Sequence, residues 1–502
     1  MLIDGQELRE DVIECGVCIV GAGPAGISLA AKLAASGMDV VVVESGGRFA
    51  QPEVNQLNRF RAESNFVFRR NFANRHRQIG GSTNLWPGRI VRFRFISGLD
   101  SEWGELSGIL PRYYGEADRL LGVPPELRRT FPDEGPLLSA YWAPVTQRFN
   151  CKSELVRNAA YRLVYHLSFS GEAEFRDSRI VEMVMRNHAG GKVRIRAGEY
   201  VLATGGIENT RLLLLMGDDL RRRMGKARHN VGAFVMDHPK ITEGRLRLRK
   251  RHPEFRKYRL RVSKWGKVKY GIRNEPEAAR IYCNLVESRS KRVQRMYARM
   301  AERFKRATGR VLQNERGRQG TDLIEDLIYL LEPREVIPHW LSRATEGLSI
   351  PRTTGRYKVV TYLEQRPRRE NAISLDPDRH DALGRPLPLI TSRVSGEELR
   401  EVGRFYEGLE GRFSRDGMEF RYDRDRILDA GNFTEASHHL GGTRYSAEAE
   451  RAVVDRDLRV LGVDNLRLAG SSVFPTGGVE NPTHLIVALS CHLADVMKGG
   501  GS

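Results

Sequence analysis

The first fifty residues alternate between apolar runs and glycine turns in a fixed order. Val17-Cys-Ile-Val20 is an unbroken apolar run that predicts a buried strand, and Gly21-Ala-Gly-Pro-Ala-Gly26 predicts a turn. Ile27–Ser36 then has apolar residues at helical spacing and stops before Gly37. Val40-Val-Val-Val-Glu44, apolar on both faces, predicts a second strand parallel to the first, closed by Gly46-Gly47. Further on, Glu199–Ala203 predicts a strand entering Thr204-Gly-Gly206, with a leucine-rich helix from about Glu208 to Met216. Tyr357–Ile390 alternates like strands, with turns expected at Asp376-Pro-Asp378 and Leu383-Gly-Arg-Pro386. A strand at Leu466–Ala469 and a helix from about Pro482 to Met497 bring back the opening pattern.

The fold class expected from this order is α/β. A Rossmann-like nucleotide-binding domain is formed by both chain ends, and an α+β region containing an antiparallel sheet is inserted between them. The length of 502 residues accommodates two to three domains with full cores. No apolar run approaches the roughly 20 residues that cross a bilayer, and the first residues lack the basic start and apolar core of a signal peptide. A cytoplasmic location is the expectation.

The five cysteines are scattered, which excludes a disulfide framework. Cys15 and Cys18 form a C-x-x-C, but it runs into a strand and no second pair completes a zinc site, so no metal is expected. The net charge of +19 favours anionic partners without bearing on the fold. Nucleic acid is not among them, because zinc-finger spacing and a base-stacking aromatic motif are both missing. Arg289–Arg310 holds nine Lys or Arg, with Val293, Met296, Tyr297, Met300 and Phe304 at helical spacing. Such a helix either packs its stripe on its own protein or docks on an anionic membrane or acidic partner.

The glycine turn is the first chemical signal. Gly21-x-Gly23-x-x-Gly26 follows a strand and opens a helix. Gly21 permits the tight turn, Gly23 lets a pyrophosphate approach the backbone, and Gly26 lets helix and strand pack closely. Pro24 fits the first helical turn, and the free N–H groups there face phosphate. Glu44, 18 residues beyond Gly26, is placed to accept from ribose hydroxyls and disfavours a 2′-phosphate. The motif does not separate FAD from NAD.

Two C-terminal stretches make that separation: Ser437-His-His-Leu-Gly-Gly-Thr443 and Asp464–Thr483, the latter containing Ala469-Gly-Ser-Ser-Val-Phe-Pro-Thr-Gly-Gly-Val-Glu-Asn-Pro482. With the glycine turn, Gly206-Ile-Glu-Asn-Thr-Arg-Leu-Leu213, Asp237-His-Pro239, Leu363-Glu-Gln365 and Leu383-Gly-Arg-Pro386, they resemble the glucose–methanol–choline (GMC) oxidoreductases, in a bacterial branch. The loop Gly80-Gly-Ser-Thr-Asn-Leu-Trp86 is similar to that of pyranose 2-oxidase-like members.

This resemblance implies FAD. It implies cofactor contacts at Gly21, Gly23, Pro24, Ala25, Gly26, Glu44 and Ser45, and in the loop at Gly81, Ser82, Asn84, Leu85 and Trp86. Further contacts are implied at Ala203, Thr204, Gly205, Gly470, Ser471, Pro482 and Thr483. Leu85 stands where the pyranose-oxidising relatives carry the histidine that binds flavin covalently, so non-covalent FAD is expected. The register of His-x-x-Gly-Thr points to His439 as base, with Thr443 as anchor and Asn481 as its partner on the substrate oxygen. His438 stays open as the alternative and as a substrate contact. Neutral imidazole suits the task, since hydride leaves a carbinol carbon as the hydroxyl proton departs.

Asn481, before Pro482, also reads as an N-cap for the last helix. His484 and His492 read as structural residues of that helix, and His238 carries no assigned role. Where relatives have Gly-His-Ala-Asn-Pro, this chain has Gly478-Val-Glu-Asn-Pro482, so Glu480 is either a contact for a cationic or polyhydroxyl substrate or a solvent-facing residue.

The expected division is residues 1–100, 171–240 and 435–502 for FAD, 101–170 for cap elements and 241–434 for the substrate domain. The expected reaction oxidises a hydroxyl of a small alcohol or sugar-like substrate (a glycoside, aminocyclitol or polyol) to a carbonyl. Oxygen, a quinone and a protein are all open as electron acceptors. A non-redox lyase that keeps FAD as structure is the alternative.

Overall fold

The computed structural model describes residues 1–8, 11–68, 74–86, 88–96, 98–130, 137–142, 149, 151, 153–188, 190–248, 261–263, 266–273, 280–287 and 356–499. The basic stretch Arg289–Arg310 lies outside the described residues.

Val40–Glu44 is buried at all five positions, as its double-sided apolar pattern requires, and sits inside an eight-stranded sheet. The spatial order is Leu2–Asp4, Arg162–Tyr165, Val40–Glu44, Val12–Val20, Lys192–Leu202, Arg179–Asn187 and Leu167–Arg176. The first five of these run parallel, and the last two form an antiparallel extension. Leu466–Leu468 pairs in parallel with Tyr200–Leu202, so the C-terminal segment enters the sheet begun by the N-terminus. The two chain ends build one domain, as the fold class anticipates. Arg162–Tyr165, within the range expected for cap elements, is an interior strand of this sheet.

Helix Pro24–Ala34 packs on helix Thr483–Met497, which also packs on Tyr114–Leu120. Lys32 joins the three, its Nζ lying 2.8 Å from Glu116 and 3.1 Å from Asp495. Three segments distant in sequence thus share one core beneath the sheet.

A second sheet runs in the order Met418–Arg421, Lys240–Leu248, Arg356–Leu363, Ile281–Glu287, Gly266–Arg273, Leu137–Trp142 and Arg89–Ile90, all antiparallel. Arg89–Ile90 therefore belongs to this sheet, although it falls within the first hundred residues expected for FAD. Helix Gly396–Arg415 shares a core with it through Val402, Tyr406, Leu409 and Phe413. A Ser395–Glu398 capping box starts that helix, each side chain satisfying the other's backbone N–H.

The turn expected at Asp376-Pro-Asp378 is not a turn. Ala372–His380 is one strand, and its pairing with Pro386–Ser392 slips between Leu375 and His380. Pro377 has no N–H to give the ladder, and Asp376 Oδ1 accepts instead from the Asp378 N–H at 3.0 Å. The interruption is a bulge.

Candidate active site

Every parallel strand that carries a predicted site residue ends at the same edge of the sheet. Val20–Gly21, Val43–Ser45, Ala203–Gly206 and Gly470–Ser471 all line one cavity of about 430 Å³. This is the carboxyl edge of the strands, where open α/β sheets bind ligands.

The glycine turn takes its shape from backbone crowding. Gly21 has φ +111°, and a Cβ there would lie 2.6 Å from the Ala203 carbonyl. A Cβ on Gly26 would overlap the Gly21 carbonyl, which is why helix Pro24–Ala34 can leave the strand so tightly. A Cβ on Gly23, by contrast, would meet no atom within 4 Å, so the backbone there faces open space. The loop from Gly80 docks on this turn, Gly80 N–H donating to the Ala22 carbonyl at 2.7 Å.

Glu44 accepts from the Ala22 and Gly46 N–H groups, each at 2.9 Å, while lining the cavity. Burial raises its carboxyl above the usual value, and those N–H donors and Arg77 act against the rise. Asn209 ties two of the strand exits together. Its Oδ1 accepts from Thr204 N at 2.8 Å, and its Nδ2 donates to the Ala469 carbonyl at 3.0 Å.

Thr443 and Gly441 run alongside the turn after Leu468, donating their N–H groups to Ser472 and Ser471 carbonyls at 3.1 Å. Ser437 precedes the two histidines with φ +64°, a conformation that β-carbon-bearing residues seldom adopt. Its Oγ accepts from Asn74 Nδ2 at 2.8 Å. Beyond that kink His438 and His439 diverge, and both line the cavity.

The pairing differs from the expected one. Asn481 Nδ2 lies 3.2 Å from His438 Nε2, so Asn481 is the partner of His438 and not of His439. His438 Nδ1 lies 2.8 Å from His238 Nδ1. Burial holds His438 well below the usual imidazole range, helped by the charges of His238, Lys240, Arg89 and His439. His439 Nε2 is buried without a hydrogen-bond partner among the described residues, and burial with the nearby Arg75 charge lowers its pKa to about 3. The His439 carbonyl is fixed from Ser471 Oγ at 2.8 Å.

Other predicted positions fall as follows. Gly23, Pro24, Ala25, Gly81, Ser82, Leu85, Trp86, Thr204, Gly205, Pro482 and Thr483 also line the cavity. Gly26 does not, and it serves the packing described above. Asn84 turns its amide onto the Ile79 and Gly81 carbonyls at 3.1 and 2.9 Å and shapes the loop instead.

Two expectations are overturned. The last helix begins at Thr483 with Pro482 as N-cap and no side-chain cap, so Asn481 caps nothing. Its amide is drawn to His438 instead. Glu480 neither lines the cavity nor faces solvent, being 1% exposed. After Gly478, at φ +62°, its Oε2 accepts from Val479 N–H at 2.9 Å, in a buried group with Arg280, Glu364 and Asp100. Burial pushes its carboxyl up to about 7, against the pull of Arg280.

Arg75, Arg77, Arg89 and Arg385 also line the cavity, with Glu44 and Glu208 as its carboxylates. Of these arginines the sequence marks only Arg385, as part of Leu383-Gly-Arg-Pro386 and without a role, and the spacing of the others gives no motif. His238 stands out in the sequence only as part of a family-like tripeptide, without a role.

The comparisons agree with this architecture. Residues 367–490 match the family model described as GMC oxidoreductase, and residues 14–53 match the FAD binding domain. The chain is an FAD-dependent oxidoreductase with a GMC-like C-terminal segment. Similar solved structures include pyridoxine 4-oxidase from Mesorbium loti, at 14% identity and TM-score 0.57, covering 97% of this chain and 100% of that one. Another is the R554A variant of Aspergillus oryzae RIB40 formate oxidase, at 17% identity and TM-score 0.54, covering 97% of this chain and 98% of that one. No curated protein sequence matches this chain. Among the described residues no helix is long and apolar enough to cross a membrane, and no three His, Cys, Asp or Glu side chains group as a metal site.

The residues present fit FAD. Open space at Gly23 admits a pyrophosphate, the N-terminus of helix Pro24–Ala34 supplies N–H groups, and Glu44 stands beside them. The same cavity continues to His438, His439 and Asn481.

Proposed function

We propose that this chain oxidises a hydroxyl of a small alcohol to a carbonyl, with the His438–Asn481 pair holding the substrate oxygen. The supporting observation is the 3.2 Å contact between Asn481 Nδ2 and His438 Nε2 in the wall of the cavity that begins at the glycine turn. Bound FAD supplies the acceptor for the hydride that leaves the carbinol carbon. The hydroxyl proton passes to His438 Nε2, which is neutral at pH 7 because burial disfavours its charged form. Asn481 donates to the oxygen and holds it near that nitrogen without competing for the proton.

We favour His438 over His439, the choice of the family register, because its Nε2 meets the Asn481 amide, while neighbouring charges oppose a proton on either ring. A proton on His438 is shared toward the neutral His238 ring at 2.8 Å. His439 then fixes the loop through its carbonyl and presents its ring to the substrate side.

A sugar-like or polyol substrate is the class we favour, on the likeness of the Gly80–Trp86 loop to sugar-oxidising relatives. The test is anaerobic bleaching of the FAD-loaded chain by sugars, polyols, simple alcohols, pyridoxine and formate. The expected result is bleaching by a polyol, reduced about a hundredfold or more in His438→Ala. Bleaching at the wild-type rate in that variant, or substrate turnover without bleaching, overturns the proposal. The second outcome would establish a lyase. Peroxide formed on admitting air identifies oxygen as acceptor, and reoxidation only by an added quinone identifies a dehydrogenase.

A further inference from the structure

His238 is fully buried and lies outside the cavity, yet its ring meets the histidine that faces it. Two imidazole nitrogens 2.8 Å apart must share one proton, because two lone pairs or two N–H groups at that distance repel. The pair is built into the backbone. Asp237 Oδ1 accepts from both the His238 and the His438 N–H, at 2.6 and 2.9 Å. Met236 and Leu440, lying beyond Asp237 and His439, exchange a pair of 2.9 Å backbone hydrogen bonds.

The remaining nitrogens decide which ring donates. A Cβ on Gly477 would lie 3.2 Å from His238 Nε2, so this nitrogen sits against that backbone. It makes no well-aligned hydrogen bond, but backbone acceptors of Gly477 and Gly478 face the ring and favour a proton on it. With N–H at Nε2, the neutral His238 ring keeps its lone pair at Nδ1. His438 must then carry its proton at Nδ1, which leaves the lone pair at Nε2, facing the Asn481 amide donor. The opposite assignment turns a lone pair toward the glycine carbonyls and reverses the Asn481 amide. Each link in the chain selects the next.

We infer that His238 is a positioning residue: it accepts the Nδ1 proton of His438 and so fixes the tautomer that leaves Nε2 free beside Asn481. This rests on the reading of His438 as base. When His438 gains a proton, its bond to His238 becomes charge-assisted and shortens. Burial keeps His238 neutral for that purpose, with its pKa lowered to about 4. The charged groups felt by the pair are Lys240, Arg89 and His439 around His438, and Arg280 around His238.

The experiment uses the full FAD-loaded chain labelled with ¹⁵N-histidine, with His438 assigned by loss of its signals in His438→Gln. The expected wild-type signal is the Nδ1–H tautomer of His438 at neutral pH. His238→Asn places an amide oxygen where Nδ1 stood, so it keeps that tautomer. His238→Leu loses it, and flavin reduction by the fastest-bleaching alcohol of the screen falls about 10- to 100-fold with KM little changed. FAD content must equal wild type in each variant. An Nε2–H tautomer in the wild type, or an unchanged tautomer in His238→Leu, overturns the inference. An unchanged tautomer in His238→Leu leaves His438 as base intact, whereas an Nε2–H tautomer in the wild type, or full turnover in His438→Ala, removes Nε2 of His438 as the base.

Discussion

The His439 carbonyl occupies the space that a side chain on Gly206 would need, and a Cβ there would also lie 3.1 Å from the His439 Cβ. Helix Gly206–Leu215 begins directly under the loop that carries both cavity histidines. Gly206→Ala is therefore expected to push that loop outward while leaving the glycine turn at Gly21–Gly26 untouched. A displacement on the order of 1 Å at the reacting groups costs about a hundredfold in rate. Stopped-flow reduction of the bound flavin, normalised to FAD content, checks this, and a wild-type rate would contradict the packing.

Gly23 and Gly26 are expected to separate cofactor binding from folding. Gly26→Ala drives a Cβ into the Gly21 carbonyl and should cost about 1–3 kcal/mol. Gly23→Ala meets nothing within 4 Å, so the FAD-free protein should melt like wild type. Its added methyl intrudes where the pyrophosphate approaches, and FAD affinity should fall about tenfold or more. Melting curves with and without FAD distinguish the two.

Glu480 gives a pH-dependent prediction. Its folded-state carboxyl titrates at about 7, against an ordinary value of 4.5. The folded chain therefore holds a proton that the unfolded chain has released. The resulting destabilisation is absent below pH 4.5, grows as pH rises between these values and is constant above about 7. Glu480→Gln removes it. The variant should be about 2–3 kcal/mol more stable than wild type above neutral pH, with the difference vanishing near pH 4.5. Denaturant titrations at both ends of the range test the sign.

Asn481→Ala should slow flavin reduction about 10- to 100-fold. Asn481 makes no capping bond to the last helix, so its loss should cost only the His438 hydrogen bond, about 1 kcal/mol. A loss near about 2 kcal/mol would mean that it caps the helix as well.

The rate of flavin reduction should show no ionisation near the ordinary imidazole value of 6.5, since burial holds His438 well below it. The neutral base persists as pH falls through that value, and activity is lost only in more acidic solution. A pH profile of the reduction rate bending at 6.5 would contradict this.

Legibility in the sequence follows the range of the interactions. Val40–Glu44 is legible to the residue, since its burial on both faces is written in consecutive valines. Val12–Val20 is legible only in its apolar half, because its first residues alternate between buried and exposed. The Ser395–Glu398 capping box and the apolar spacing of Leu399, Val402, Phe405, Tyr406, Leu409 and Phe413 are present in the sequence, but the charged middle of the chain hides them. For the site, the family register counts positions back from Thr443 and cannot register the kink at Ser437, which turns His438 toward Asn481. Glu480 is misplaced for a similar reason: a sequence does not show that Arg280, two hundred residues earlier, waits beneath it. Of the cavity arginines, Arg75, Arg77 and Arg89 carry no pattern at all.

Leu466–Leu468 joins the sheet beside Tyr200–Leu202 across more than 260 residues of intervening chain. On the ribosome, strands Val12–Val20 and Val40–Glu44 emerge first and close together, while the segment bearing Gly470 and Asn481 emerges among the last. The nascent chain can pair these two strands long before the segment that closes the cavity at His438 and Asn481 has been synthesised. The cavity is therefore complete only once the C-terminal strand has joined the sheet.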